Sequence, residues 1–305
     1  MKKRMSIITA GLSIALFISM SITSLAYEKV EDDFSRDVIS TQLESENYDE
    51  TIRLYDIPSE DFNVLEENKN QIDTIYANIY AQCQNQKVTQ ITDEYSAYSY
   101  LLNNKKFVTL NQGKIRIDTE AMEIDGQQLD ILNAFIGKID NLVDLNVIKV
   151  NSDLSFSMLT APETTSSPVV MAITIDLMTE CRSHAAEIRT VYDNAPFGTA
   201  TIVAGTYFAE RVKGGGVWDY KNWLGLNTRY YETELRATMT GETIGNFHYG
   251  YVGSELFSPS TLKSAAGLVQ ITSGTAKAEW FSSYFDDPKD QENIQWGIDV
   301  YKRNN

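Results

Sequence analysis

His184 and His248 are the only imidazoles in the 305 residues, and imidazole is the side chain that most readily trades protons near neutral pH. His248 stands in the stretch Gly241 to Gly253, G-E-T-I-G-N-F-H-Y-G-Y-V-G, with four glycines, two tyrosines and one acid, Glu242. Glycine adds no packing and costs conformational entropy, so such clustering marks backbone that bends or approaches something closely. Two readings follow: a proton-transfer site around His248, or a tight Gly-Tyr-rich helix start or hairpin holding a satisfied histidine. His184 follows Glu180 by four residues on an expected helix face and reads as structural.

Other chemistries find less support. The chain has no Cys-x-x-Cys and no His-x-x-x-His, so no metal site is expected, and no cofactor is called for. Gly214-Gly215-Gly216 lacks the Gly-Lys-Ser/Thr of a phosphate loop and reads as a helix stop. Asp286, Asp287 and Asp290 flank Pro288, the pattern of an acidic cap at a helix N-terminus rather than a metal or catalytic triplet. Cys83 and Cys181 are the only cysteines, open to a disulfide in an exported chain or to two buried thiols.

The elements that must carry these residues divide in two. The expected class is α+β overall, an N-terminal α+β module followed by a mainly α C-terminal domain. Periodicity predicts helices over Asn68–Gln84, Asp93–Asn103 and Gln127–Leu142, a hairpin of Phe107–Leu110 with Lys114–Asp118, and short strands at Leu145–Val150 and Leu154–Met158. The Pro/Ser/Thr run 161–168 is the expected linker. Beyond it, helices are expected at Ile175–Asp193 and Phe197–Lys213, from Pro259 (capped by Ser258) through Ala276, and from Pro288 onward. The domains read as 27–160 and 169–305, with the front of the former, to about 67, a polar leader.

Met1–Ala26 has a basic start (Lys2, Lys3, Arg4), an apolar run and a small-x-small site at Ser24-Leu25-Ala26. It reads as a Sec-type signal cleaved near Ala26, giving a secreted chain with no stable membrane association; an uncleaved anchor is the alternative. Net charge is −16, which disfavours a non-specific nucleic-acid binder. Residues 181–305 hold 12 basic and 14 acidic side chains, so the acidity lies in the front of the chain. The nearly neutral C-terminal part is compatible with an anionic substrate.

Four pieces in order resemble the polymorphic toxin type 44 family of bacterial secreted toxins: Gly215-Gly216-Val217-Trp218-Asp219-Tyr220-Lys221; Gly245 to Gly253; Ala266-Gly267-Leu268-Val269-Gln270; and Asp286-Asp287-Pro288-Lys289-Asp290-Gln291 with Ile294, Gly297 and Tyr301. They cover about the last 100 residues. The resemblance implies a largely helical ribonuclease toxin, with RNA as substrate and a cognate immunity protein as partner. Metal-free RNA cleavage needs a base, an acid and donors for the phosphorane oxygens. His248 suits the proton transfer, with Glu242 as its partner if a turn at Gly245-Asn246 folds the two together. Lys221 and Tyr249 are the further catalytic candidates. Trp218, Asp219, Asn246, Gln270 and Arg229 are the substrate-binding candidates: Trp218 or Tyr251 to stack a base, Arg229 to meet phosphate, Gln270 to orient His248. Two other functions stay open: an exported cell-wall hydrolase using Glu242, Asp286 and Asp287 as paired carboxylates, and a non-enzymatic surface module.

Overall fold

The computed structural model describes residues 64–122, 124, 126–160, 174–272 and 287–305, with backbone alone for Val64 and 267–272. The expected signal segment, the leader to residue 63 and the linker 161–168 lie outside the described residues. The elements are α1 (Val64–Asn85), α2 (Glu94–Asn103), β1 (Val108–Asn111), β2 (Lys114–Ile117), α3 (Gly126–Asp144), β3 (Ile148–Val150), β4 (Phe156–Met158), β5 (Thr174–Ile175), α4 (Leu177–Asn194), α5 (Ala200–Val212), α6 (Tyr220–Leu224), β6 (Arg229–Glu232), β7 (Ala237–Thr240), α7 (Gly241–Gly253), α8 (Pro259–Thr272) and α9 (Pro288–Asn304). The class is α+β, and the described C-terminal part is mainly helical.

Contacts divide the described residues into two compact units, Leu65–Gly245 and Asn246–Asn305, the second joined by Val64. In the first, α2 opens on a capping box. The Asp93 carboxylate accepts from the Ser96 N–H at 2.7 Å, and the Ser96 hydroxyl accepts from the Asp93 N–H at 2.9 Å. The β1–β2 hairpin pairs Val108 with Ile117 and turns at Gln112-Gly113. Both turn residues have positive φ, 52° and 76°, the geometry that a two-residue turn between right-twisted strands requires. β3 and β4 pair antiparallel, Ile148 opposite Met158. Tyr98, Phe135, Phe156 and Phe197 join rings at 4.9–5.9 Å in the core.

Packing does not stop at the Pro/Ser/Thr run. Phe197, beyond it, donates its N–H to Glu94 at 2.7 Å and puts its ring among those of α2 and α3. Asn141 on α3 donates to Asn194 on α4 at 3.0 Å.

Two helix starts differ from expectation for local reasons. The Asp176 carboxylate accepts from the Thr179 N–H and caps α4, so Ile175 stays extended and pairs with Glu232 on β6. Phe197 and Gly198 have φ of 60° and 72°, which delays α5 to Ala200. The β6–β7 hairpin is a finding the sequence did not announce. Its inward positions are Tyr230, Glu232 and Met239, and the buried Glu232 disguises the alternation. β5 adds to β6 in parallel, giving the order β5-β6-β7.

Candidate functional site

The first unit carries an open cleft of about 350 Å³, lined by Thr179, Glu180, Ser183 and His184 of α4 and by Val217, Trp218, Tyr220 and Trp223. Residues 180 and 184 share a face of α4 because four residues make little more than one helical turn. Opposite them, the chain leaves α5 through Gly214–Gly216. A Cβ at Gly216 would lie 2.4 Å from the Arg211 carbonyl oxygen, so only glycine lets the segment turn back here. Asp219 then caps α6: its carboxylate accepts from the Gly215 N–H at 2.8 Å and from the Asn222 side chain. This tight corner delivers Trp218, Tyr220 and Trp223 to the cleft.

His184 lies parallel to Trp218, with ring centroids 4.3 Å apart and an interplanar angle of 21°. Burial pushes its pKa down to about 4, helped by the Arg211 charge and opposed by Glu187, so the ring is neutral at pH 7. Glu180 accepts the Tyr220 hydroxyl proton as a hydrogen bond. Behind the wall, Arg211 covers the Tyr207 ring at 3.2 Å from its centroid and approaches Glu187 at 3.4 Å. Glu187 also accepts from the Tyr207 hydroxyl. No Lys or Arg is among the lining residues, so the cleft offers aromatic faces, hydroxyls, a neutral imidazole and one carboxylate.

His248 is in a different setting. α7 is one unbroken helix, so Gly245-Asn246 is not a turn and does not fold Glu242 onto His248. Six residues on a helix amount to 600°, which sends the two side chains to different faces. His248 has 0% exposure. Around it α7 meets α9 almost backbone to backbone. A Cβ at Gly250 would lie 2.1 Å from the Ile294 carbonyl oxygen, and one at Gly297 would lie 2.1 Å from that of Phe247. Phe247 meets Trp296 edge-on at 5.0 Å and Tyr251 meets Tyr301 at 5.3 Å. Asn246 donates to Asp290 at 2.5 Å, both buried. Gly250 and Gly297 therefore mark a close helix crossing, not a hollow.

The remaining candidates fall as follows. Tyr249 donates its hydroxyl to the Leu262 carbonyl at 3.0 Å. Lys221, half-buried on α6, lays its stem over Gly245. Arg229 is exposed on β6, and Glu242 is half-buried in the first turn of α7. Trp218 is only 6% exposed and has one face against His184. Asp287 caps α9, accepting from the Lys289 N–H at 2.9 Å. The Gln270 side chain and Asp286 lie outside the described residues.

Residues 207–303 match the family model described as Bacterial toxin 44. The last third of the chain is similar to a bacterial toxin family. No curated protein and no solved structure matches the chain. The toxin-44 match takes in Trp218, Tyr220 and Trp223 on one wall of the cleft, while Glu180 and His184 precede it. Within the match, the pieces at 245–253 and 290–301 meet as the α7–α9 crossing.

Sequence reasoning set His184 aside. The signal was present in Glu180-x-x-x-His184, but the wall opposite is supplied by a corner some 35 residues later, which no local pattern reveals. Cys83 and Cys181 are both buried free thiols, and burial raises both pKa values. Among the described residues no cluster of His, Cys, Asp and Glu is suited to a metal, and no helix is long and apolar enough to cross a membrane.

Proposed function

We propose that the chain is an exported bacterial toxin whose effector cleaves RNA and is neutralised in the producing cell by an immunity protein. The observation that carries the toxin reading is the Bacterial toxin 44 match over residues 207–303. Export rests on the signal-like Met1–Ala26. Ribonuclease activity rests on the family resemblance and on the needs of metal-free cleavage, a proton acceptor beside a surface that holds a base.

The burial of His248 weighs against its touching a substrate. In this reading it serves the α7–α9 crossing, and His184, on the wall of the open cleft, is the imidazole a substrate reaches. As a neutral ring it accepts the proton of the ribose 2′-hydroxyl while that oxygen attacks the phosphorus; the P–O5′ bond breaks, and the imidazolium returns the proton to the departing 5′-oxygen.

Expression of residues 27–305 inside a bacterial cell, followed by inspection of total RNA, tests the proposal. The longer span is needed because packing crosses the linker. Degraded RNA is the expected result, prevented by His184→Ala. Arrested growth with intact RNA would leave a toxin of other chemistry, and lysis only on external addition would favour the wall hydrolase.

A further inference from the structure

The geometry points to a guanine-recognition pocket in the cleft between α4 and the 217–223 corner, with the Glu180 carboxylate reading the base edge and Trp223 supporting its face. This inference rests on the ribonuclease reading and gives that site a substrate preference. Three features of the cleft select the ligand. Its walls are flat rings: the His184–Trp218 stack, Tyr220 and the half-buried Trp223, with Tyr220 and Trp223 centroids 5.8 Å apart. Its volume, about 350 Å³, lies within the range of small-molecule sites. Its charge comes from Glu180, with no lining cation to seat a phosphate. Arg211, which lies behind the wall, is engaged by Glu187 and Tyr207. A base therefore enters while the sugar-phosphate backbone stays at the rim, the usual division of labour in single-strand recognition.

The carboxylate chooses among bases. Glu180 is fixed in direction by the Tyr220 hydroxyl, and a carboxylate has acceptor capacity beyond one such bond. Guanine alone among the four bases presents two adjacent donors, N1–H and N2–H, to match two carboxylate oxygens. Adenine and cytosine place a ring-nitrogen acceptor beside their amino group, and uracil flanks its N3–H with carbonyls, so each sets a lone pair against Glu180. The hydroxyls of Thr179 and Ser183, on the same exposed face of α4, are the donors available to the guanine O6.

The test uses the full chain and nucleosides, which carry no phosphate. Titration with guanosine, inosine, adenosine, cytidine and uridine is followed by tryptophan fluorescence and calorimetry. Guanosine is expected to bind best, at least tenfold tighter than adenosine, as a bidentate base contact implies. Inosine, lacking the N2 amino group, falls between them. Glu180→Gln retains an acceptor for Tyr220 and should lose that preference, while Trp223→Leu should weaken all nucleosides together. Equal binding of the bases, no binding of any, or tighter binding of tetramethylammonium than of guanosine overturns the inference. Parallel digestion of RNA separates the two failures. Cleavage without guanosine binding removes the pocket and leaves the ribonuclease. Guanosine binding that depends on Glu180, without cleavage, removes the ribonuclease and leaves the pocket.

Discussion

The α7–α9 crossing and the cleft beside α4 are built from similar side chains, an imidazole, tyrosines, tryptophan and carboxylates, in opposite states of solvation. At the crossing, glycines bring two backbones so close that His248 and its neighbours are sealed. At the cleft, bulky rings hold α4 and the 217–223 corner apart and leave room between them. Polar residues serve packing in the first case: Asn246 and Asp290 satisfy each other. In the second, Glu180 keeps one side toward solvent. Residue type alone does not separate a site from a seam; the size of what stands opposite does.

The sharpest way to break this contrast is Gly297→Ala. The new methyl would meet Phe247 backbone rather than a side chain that can swing aside, so a loss of about 3 kcal/mol or more is expected, read as the midpoint shift in urea unfolding. Gly245→Ala is the control. Its methyl would lie 2.9 Å from the Lys221 Cγ, a side-chain atom that can yield further than backbone, so a smaller loss than that of Gly297→Ala is expected.

Next, the two histidines should trade places between assays. His248→Ala opens a space in a fully buried position and should cost about 3 kcal/mol of stability. Under the ribonuclease proposal, His184→Ala should lower the RNA-cleavage rate about 100-fold or more while costing much less stability. A variant at 248 that folds normally and is inactive would return the proton-transfer role to α7.

Acid should also distinguish the regions. His184 has its folded pKa lowered to about 4 from 6.5, so the unfolded chain binds the extra proton between those values. Stability is therefore level with respect to this group above pH 6.5 and falls as pH drops toward 4, by up to about 3 kcal/mol, because burial resists the proton that the unfolded chain accepts. Urea titrations across that window should show the slope, and His184→Gln should flatten it. A slope that survives the substitution would assign the effect to other groups.

The smallest effect belongs to a cap. Asp287→Ala removes the acceptor for the Lys289 N–H at the start of α9 and should cost about 1 kcal/mol. A larger loss, measured by the same unfolding curves, would mean that the crossing depends on how α9 is anchored.

Much of the fold was legible because its signals are local. The helix near Asp93–Asn103, the hairpin turning before Lys114 and the Pro288 start of the last helix each depend on residues within a few positions of one another. The β6–β7 hairpin was not legible, since burying Glu232 breaks the apolar alternation by which a strand announces itself. Nor was the late start of α5, where the left-handed backbone of Phe197 is held by distant aromatic rings. Of the candidate site, the glycines around His248 were correctly seen as close approach or bending, but sequence could not say which.

By itself the sequence determined the longer helices apart from α7, the α+β class and the resemblance of the last third to a toxin family, because periodicity, caps and motifs act over short spans; it did not reveal α6 or the unbroken α7. Only the tertiary structure decided which histidine meets solvent. That choice depends on what each ring faces: for His248 the close α7–α9 crossing, and for His184 a corner brought back from beyond α5 by Gly216 and Asp219. Accessibility is a property of facing surfaces, and the residues that face each other here are far apart along the chain.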